Sequence, residues 1–331
     1  MRAIPTLKIS ISGVRGVVGA SLTPTLLTRF AQAFGTYVGG GRIVIGRDTR
    51  TSGEMVCQAV TAGLLSAGCR ILDLGVCPTP TVQLMVRRHQ ARGGVAITAS
   101  HNPAEWNALK FIGADGLFLS GASGRELLDI YHQGDYTRVA GEAMRPVERA
   151  ADALGVHVAA VLDAVGPLPS RPTRLRVAVD ACNGAGSLVS PQLLAALGVD
   201  VVPINVTPDG RFPRQAEPTP EALRQLSAAV RDHGCDLGFA QDMDADRLAV
   251  VDERGRPIGE EFTLLLACRR VLSVTPGPVV TNVATTHALE AVAAAHGCTV
   301  TRAPGGEANV TEAMRRGGGG GWGGGNRRGG S

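Results

Sequence analysis

Thr98-Ala99-Ser100-His101-Asn102-Pro103 puts a hydroxyl, an imidazole and an amide at consecutive positions, directly after the apolar run Gly93–Ile97. An apolar run of that length reads as a buried strand. Pro103 disfavours helix at the residue before it, so Ser100 is displayed on a loop at a strand end. Such loops carry ligands and chemistry in α/β proteins. Three roles are open to this serine: nucleophile, phosphate carrier or plain loop residue. A Gly-x-Ser-x-Gly elbow is missing, which disfavours a hydrolase triad.

Asp242, Asp244 and Asp246 form the second chemical cluster, at alternate positions after the apolar run Leu237–Ala240. Three carboxylates so close repel one another unless a cation sits among them. All-oxygen donors favour Mg²⁺ or Ca²⁺. An EF-hand does not fit, although Glu253 falls at loop position twelve. Position six is Arg247 where the sharp turn needs glycine, and 237–240 and 248–251 read as strands rather than helices. A solvated acidic turn is the bland alternative. Mg²⁺ fits better, and because it completes its shell with phosphate oxygen and water, a phosphorylated partner follows.

The cations are uneven. Lys8 and Lys110 are the only lysines. Lys110 lies in a strand-like segment leaving the Ser100 loop, where it could take part in proton transfer beside a phosphate. Arg47 and Arg50 flank Asp48 at another strand end. They could orient a phosphate bidentately, or an Arg–Asp surface pair could only shape the loop. Arg15 sits in the Gly-flanked Ser12-Gly13-Val14-Arg15-Gly16. His101 could position Ser100, bind phosphate or cap the loop.

Short apolar runs near 42–45, 71–74, 93–97, 175–179, 199–202, 237–240, 278–280 and 299–301 alternate with helix-like segments. That alternation predicts βαβ units and mostly parallel sheets. Three blocks follow, 1–150, 151–256 and 257–316, the first seam being the turn-rich stretch 165–172. Residues 317–331, GGGGGWGGGNRRGGS, are too glycine-rich to offset their ordering entropy and are expected to be flexible. One Arg-Gly-Gly without interleaved aromatics is a poor RNA-binding signal. A net charge of +4 adds no case for nucleic acid. No apolar run has membrane-span length, and Met1–Pro5 does not look like a signal peptide, so a cytoplasmic location is expected. Seven scattered cysteines without a CxxC pair are expected to be reduced, mostly buried thiols. Nothing in the pattern specifies an oligomeric state.

Taken together, the motifs resemble the α-D-phosphohexomutase family. The Thr-Ala-Ser-His-Asn-Pro loop is similar to its phosphoserine loop and Asp-x-Asp-x-Asp-Arg to its Mg²⁺ loop. Ser-Gly-Val-Arg-Gly and Gly-Arg-Asp-Thr-Arg match its N-terminal signatures in order. Residues 105–111, 180–186 and 305–310 resemble the archaeal-type phosphoglucosamine mutase branch, and the likeness runs from residue 6 to about 316. The resemblance implies consecutive three-layer α/β/α domains with mixed, mostly parallel sheets. It implies that Ser100 carries the phosphoryl group and that Asp242, Asp244 and Asp246 bind one Mg²⁺, with the Ser100 phosphate as a further ligand. Arg15, His101 and Lys110 would flank the transferring phosphate, and Arg47, Asn102 and Arg247 would bind substrate phosphate. The implied reaction interconverts glucosamine 6-phosphate and glucosamine 1-phosphate through a hexose 1,6-bisphosphate. Phosphomannomutase or phosphoglucomutase activity is the alternative; a catalytically inactive Mg²⁺-binding fragment and a Mg²⁺-dependent phosphatase are others.

Departures from the pattern shape the expectation. Met243 stands where the family often has proline. The family's third-domain sugar loop falls in the glycine tail, with Gly324 at the glutamate position when aligned on Asn326. The fourth domain, with its phosphate-binding loop, is expected to be absent, and the change after Arg316 reads as a shifted frame or truncated gene. Weak or no mutase activity is the resulting expectation.

Overall fold

A computed structural model describes residues 6–10, 13–166, 173–316 and the backbone of 322–324. The seam at 167–172 and most of the tail lie outside the described residues. The chain forms two compact units, Met1–Pro257 and Ile258–Ser331.

The first unit opens with β1 (Leu7–Ser10), β2 (Gly13–Val17), α1 (Pro24–Val38) and β3 (Gly41–Arg47). It continues with α2 (Gly53–Ser66), β4 (Cys69–Val76), α3 (Thr79–Arg88), β5 (Gly93–Ile97), β6 (Trp106–Gly113), α4 (Gly121–Gln133) and β7 (Glu148–Arg149). Their sheet order is β1-β2-β6-β5-β3-β4-β7. The pairs among β3, β4, β5 and β7 are parallel and those among β1, β2, β6 and β5 antiparallel.

Side-chain alternation along the strands builds two cores. Ile43, Ile45, Val95, Ile97, Leu109 and Phe111 face one core with α1, α2 and α4. Val44, Ala96 and Ile112 face the other, with α3 and the start of α5 (Ala153–Val165). Residue 110 therefore falls on the α3 face. Helix α5, assigned by sequence to the second block, packs its first turns on α3, where Thr81 Oγ1 lies 2.6 Å from His157 Nδ1. Burial lowers the His157 pKa from 6.5. The unfolded chain then binds more protons just below pH 6.5, so stability falls as pH drops through that value. His157→Gln is expected to flatten this part of the slope, read as a smaller loss of urea midpoint between pH 7.5 and 5.

The second sheet of this unit contains β8 (Arg176–Asp180), β9 (Asp200–Ile204), β10 (Leu237–Gln241) and β11 (Leu248–Val251), with α6 (Ser190–Ala196) and α7 (Arg224–Asp232). Its order is β11-β10-β8-β9, parallel except for the β10–β11 hairpin. A 3₁₀ turn leads into each of these helices, Ala185–Leu188 before α6 and Pro220–Leu223 before α7. Pro191 opens α6 within its first turn, where its missing N–H costs nothing, and Pro220 likewise opens the second 3₁₀ turn.

In both sheets the chain switches sides at one strand. From β3 it crosses to β4 on one side and then to β5 on the other. From β8 it crosses to β9 and then to β10 on the opposite side. Loops at the carboxyl ends of strands flanking a switch diverge and leave a crevice where α/β proteins bind ligands. The Ser100 loop leaves β5 and the Asp242–Asp246 loop leaves β10, so each lies at such a point.

The second unit has α8 (Glu260–Leu272), β12 (Val279–Asn282), α9 (Ala288–Ala294), β13 (Val300–Ala303), α10 (Glu307–Arg316) and β14 (Trp322–Gly324). Strands β13 and β14 flank β12, both parallel to it. The tail expectation is corrected here: residues 322–324 form a strand rather than flexible chain. The edge of β12 opposite β13 presents backbone groups that need a partner, and the ladder bonds β14 makes there need no side chains. All seven cysteines are free and six are buried. No helix among the described residues is long and apolar enough to cross a membrane.

Candidate active site

Ser100 occupies a left-handed backbone conformation, φ +50°. A non-glycine residue held there costs backbone strain and persists only where neighbours over-determine it. Thr98 Oγ1 accepts from the Ser100 N–H at 2.9 Å, and the Thr98 hydroxyl donates to Asp48 Oδ2 at 2.6 Å. The loop is thus fixed before the serine side chain makes any contact. Its hydroxyl then donates to Asp242 Oδ2 at 2.5 Å, across to the second sheet.

One carboxylate oxygen from each of Asp242, Asp244 and Asp246 lies within 4.8 Å of the others. Lys110 Nζ contacts Asp244 Oδ2 at 2.6 Å and Asp246 Oδ2 at 3.2 Å. As expected for a strand leaving the Ser100 loop, Lys110 sits within β6, 7% exposed, with the Phe118 ring 5.8 Å away. Thr79, at the start of α3, donates its hydroxyl to Asp244 Oδ2 at 2.7 Å and its N–H to the Asp244 carbonyl at 3.0 Å. Two donors therefore share Oδ2, while buried Asp244 Oδ1 has no hydrogen-bond partner among the described residues. Burial and the charges of Asp244 and Asp246 push Asp242 well above the usual carboxylate range. Burial would raise Asp244 too, but the Lys110 ammonium holds it well below that range. A cluster of hard oxygens with an orphaned buried oxygen and repelling neighbours fits a small divalent cation.

Gly184 supports this loop from behind. A Cβ there would lie 2.6 Å from the Met243 carbonyl oxygen and 2.8 Å from its Cα. Met243 itself is fully buried against Cys182 and Ala216, so a hydrophobic anchor holds the loop. Gly184→Ala is expected to displace Met243 and the carboxylates on either side of it. Mg²⁺ affinity should fall about 10-fold or more, measured by calorimetric titration.

The remaining expected residues divide. Arg15 Nη1 donates to Asn102 Oδ1 at 2.7 Å, joining β2 to the Ser100 loop. His101 Nδ1 is buried without a hydrogen-bond partner among the described residues, and burial with the nearby Arg247 and Arg15 charges lowers its pKa to about 4. Arg247 donates its N–H to Asp242 Oδ1 at 3.3 Å and pairs with Glu217 at 2.8 Å. Arg47 differs. Its Nη2 pairs with Glu54 Oε2 at 3.1 Å, on the first turn of α2.

Arg50 also departs from the paired-arginine expectation. It is 1% exposed, bonded to Asp48, and its guanidinium points into the Ser100 loop. Sequence reasoning missed Thr79 and Arg214 as parts of the site, and the loop-shaping Arg–Asp pair it placed at the surface is the buried Asp48–Arg50 pair. An acid two residues before an arginine at a strand end was the available signal for Asp48; Arg214 left none.

Two strand-end loops meet through a serine, three carboxylates and a buried lysine. Comparison with known proteins gives the class. Family models for phosphoglucomutase/phosphomannomutase α/β/α domains I, II and III match residues 7–138, 156–255 and 259–326. The chain belongs to this phosphohexomutase family, whose members are isomerases. It is 40% identical over 306 residues to a probable phosphoglucosamine mutase of Methanopyrus kandleri, covering 92% of this chain and 67% of that one. It is 38% identical to a phosphoglucomutase/phosphomannomutase of Thermococcus kodakarensis, covering 91% and 68%. A crystal structure of a putative phosphomannomutase from Thermus thermophilus superposes with TM-score 0.83 at 28% identity, covering 98% and 74%. The chain thus spans about two thirds of the length of the curated relatives it matches.

Proposed function

We propose that this chain is an intramolecular phosphotransferase that moves a phosphoryl group between the 6- and 1-oxygens of a hexose phosphate, with glucosamine as the sugar. The observation that carries the reading is the Ser100 hydroxyl held 2.5 Å from Asp242 within a triad compensated by buried Lys110. The name of the Methanopyrus relative supports glucosamine. The Thermococcus relative supports the second reading, phosphoglucomutase or phosphomannomutase.

Ser100 carries the phosphoryl group. The sugar's free hydroxyl attacks its phosphorus, the bond to Ser100 Oγ breaks, and a hexose 1,6-bisphosphate forms. Lys110 Nζ, an ammonium paired with Asp244 and Asp246, gives a proton to the departing Ser100 Oγ and takes up the one released by the sugar hydroxyl, which restores its charge. After the bisphosphate turns over, its other phosphoryl group returns to Ser100 and the isomerised monophosphate departs. Asp242, Asp244 and Asp246, with the phosphorylated Ser100, would hold one Mg²⁺. When bound, the ion supplies positive charge to the transferring phosphoryl oxygens. In this reading Arg15, Asn102, His101 and Arg247 flank the phosphate. A neutral His101 donates or accepts one hydrogen bond there without adding charge.

The test is incubation of the purified chain with Mg²⁺, glucose 1,6-bisphosphate and, separately, the 6-phosphates of glucosamine, glucose and mannose. Slow formation of glucosamine 1-phosphate in preference to the others is the expected result for a chain spanning about two thirds of its relatives' length. Preference for glucose or mannose moves the reading to its alternative. Release of inorganic phosphate without isomerisation would refute both.

A further inference from the structure

Two buried acid–arginine pairs lie behind the site and touch neither the serine hydroxyl nor the triad's clustered oxygens. Asp48 and Arg50 follow β3. Arg50 Nε donates to Asp48 Oδ2 at 3.0 Å, and both side chains are fully buried. The same guanidinium donates to the carbonyls of Ser100 and Asn102 at 2.7 Å each, Pro103 at 2.5 Å and Trp106 at 3.0 Å. One side chain thereby gathers four carbonyls spanning the whole β5–β6 connection. Asp48 holds the other side of the loop through Thr98.

The second sheet repeats the arrangement at its own switch strand. Asp180 ends β8, is fully buried, and is paired with Arg214 at 2.9 Å. Arg214 Nη2 donates to the carbonyl of Gln241, the residue immediately before Asp242, at 2.7 Å. Asp180 Oδ1 accepts the Cys182 N–H at 2.8 Å and stiffens the loop bearing Gly184.

The two devices meet. The Phe212 ring lies 5.0 Å from the Arg50 guanidinium carbon, and Thr49 donates its hydroxyl to the Asn183 carbonyl at 2.8 Å. Gly210, at φ +73°, brings its backbone so near the Thr49 carbonyl oxygen that a Cβ would stand 2.2 Å from it. A backbone contact this tight ties the β3 loop to the segment carrying Phe212 and Arg214.

We infer that Arg50 and Arg214 are paired positioning residues: Arg50 sets the phosphoryl-carrying loop and Arg214 the carboxylate loop. This rests on the phosphotransferase reading for the role of Ser100, but not for the division of labour. Arginine is required because a lysine offers no planar fork to serve an acid and several carbonyls together.

Arg50→Lys and Arg214→Lys keep each charge beside its acid and remove the fork. Three quantities are measured on the full chain: Mg²⁺ affinity by calorimetry, the single-turnover rate of Ser100 phosphorylation by glucose 1,6-bisphosphate at saturating Mg²⁺, and the thermal midpoint. Arg50→Lys is expected to slow phosphorylation about 100-fold, the effect of a small misplacement of the reacting group, with Mg²⁺ affinity within about 3-fold of wild type. Arg214→Lys is expected to weaken Mg²⁺ about 10-fold or more, with the saturated rate changed far less. If Arg50→Lys does not fold, Thr98→Val removes the link from Asp48 to the Ser100 N–H and is expected to slow the same step about 10-fold. Equal losses of rate and affinity in both variants, tracking the thermal midpoint, would overturn the inference. So would unchanged behaviour. If the wild-type chain takes up no phosphate at all, the phosphotransferase reading fails, and the contrast in Mg²⁺ affinity between the two variants still decides this one.

Discussion

Ser100→Ala is expected to fold, to bind Mg²⁺ and to take up no phosphate from glucose 1,6-bisphosphate. Any isomerisation should be lost, because in the proposed mechanism every turnover passes through the missing oxygen. The structural cost is bounded. The substitution removes one hydrogen bond, to Asp242 at 2.5 Å, and leaves a buried acceptor without that donor, worth about 1–3 kcal/mol. The Ser100 backbone keeps its hold, since Thr98 and Arg50 grip the main chain rather than the side chain. A folded but inactive variant, checked by thermal midpoint and product formation, is therefore the expected pair of results. Retained isomerisation would remove Ser100 from the chemistry.

Lys110→Met has the second largest effect, and it appears in stability as well as rate. Lys110 lies between two carboxylates at 2.6 and 3.2 Å, nearly out of solvent. Without it, Asp244 and Asp246 repel in a low-dielectric pocket. Removing one member of a buried ion pair costs about 3–5 kcal/mol because the other charge remains uncompensated. A bound divalent cation supplies compensating charge at the same oxygens, so Mg²⁺ should raise the midpoint of Lys110→Met more than that of wild type. Turnover should still fall about 10²–10⁴-fold, the usual contribution of a positioned proton-transfer group. Urea unfolding with and without Mg²⁺, followed by steady-state assay, checks both parts. A variant as stable as wild type in EDTA would contradict the burial argument.

Much of this site could be read from the chain because its chemistry is local. Ser100 through Pro103 and Asp242 through Arg247 are each one short segment, and the strands before them are plain apolar runs. Lys110 stood out because lysine is otherwise confined to position 8. Its burial followed less directly: only the alternation along β6, with Leu109 and Phe111 on one face and Ile112 on the other, assigns residue 110 to the α3 side. Arg47 and Arg50 show where reading along the chain stops. They are three residues apart in one motif, yet one pairs with Glu54 near the surface and the other is the fully buried clasp of the Ser100 loop. Local spacing cannot tell these fates apart, because the four carbonyls that capture Arg50 arrive from residues 100–106 only once β5 and β6 have paired beside β3. Arg214 is more distant still, meeting Asp180 across 34 residues. The glycine tail failed for the opposite reason. Composition describes what side chains can bury, and strand pairing at 322–324 uses the backbone alone.

The most direct test of the central claim is to locate the phosphate. The full chain is incubated with glucose 1,6-bisphosphate and Mg²⁺, stripped of small molecules and digested, and its peptides are examined by mass spectrometry. The account predicts one added phosphate, on Ser100, that disappears when excess hexose monophosphate is supplied. Sugar phosphates interconverted with phosphate on another residue, or on none, would contradict it.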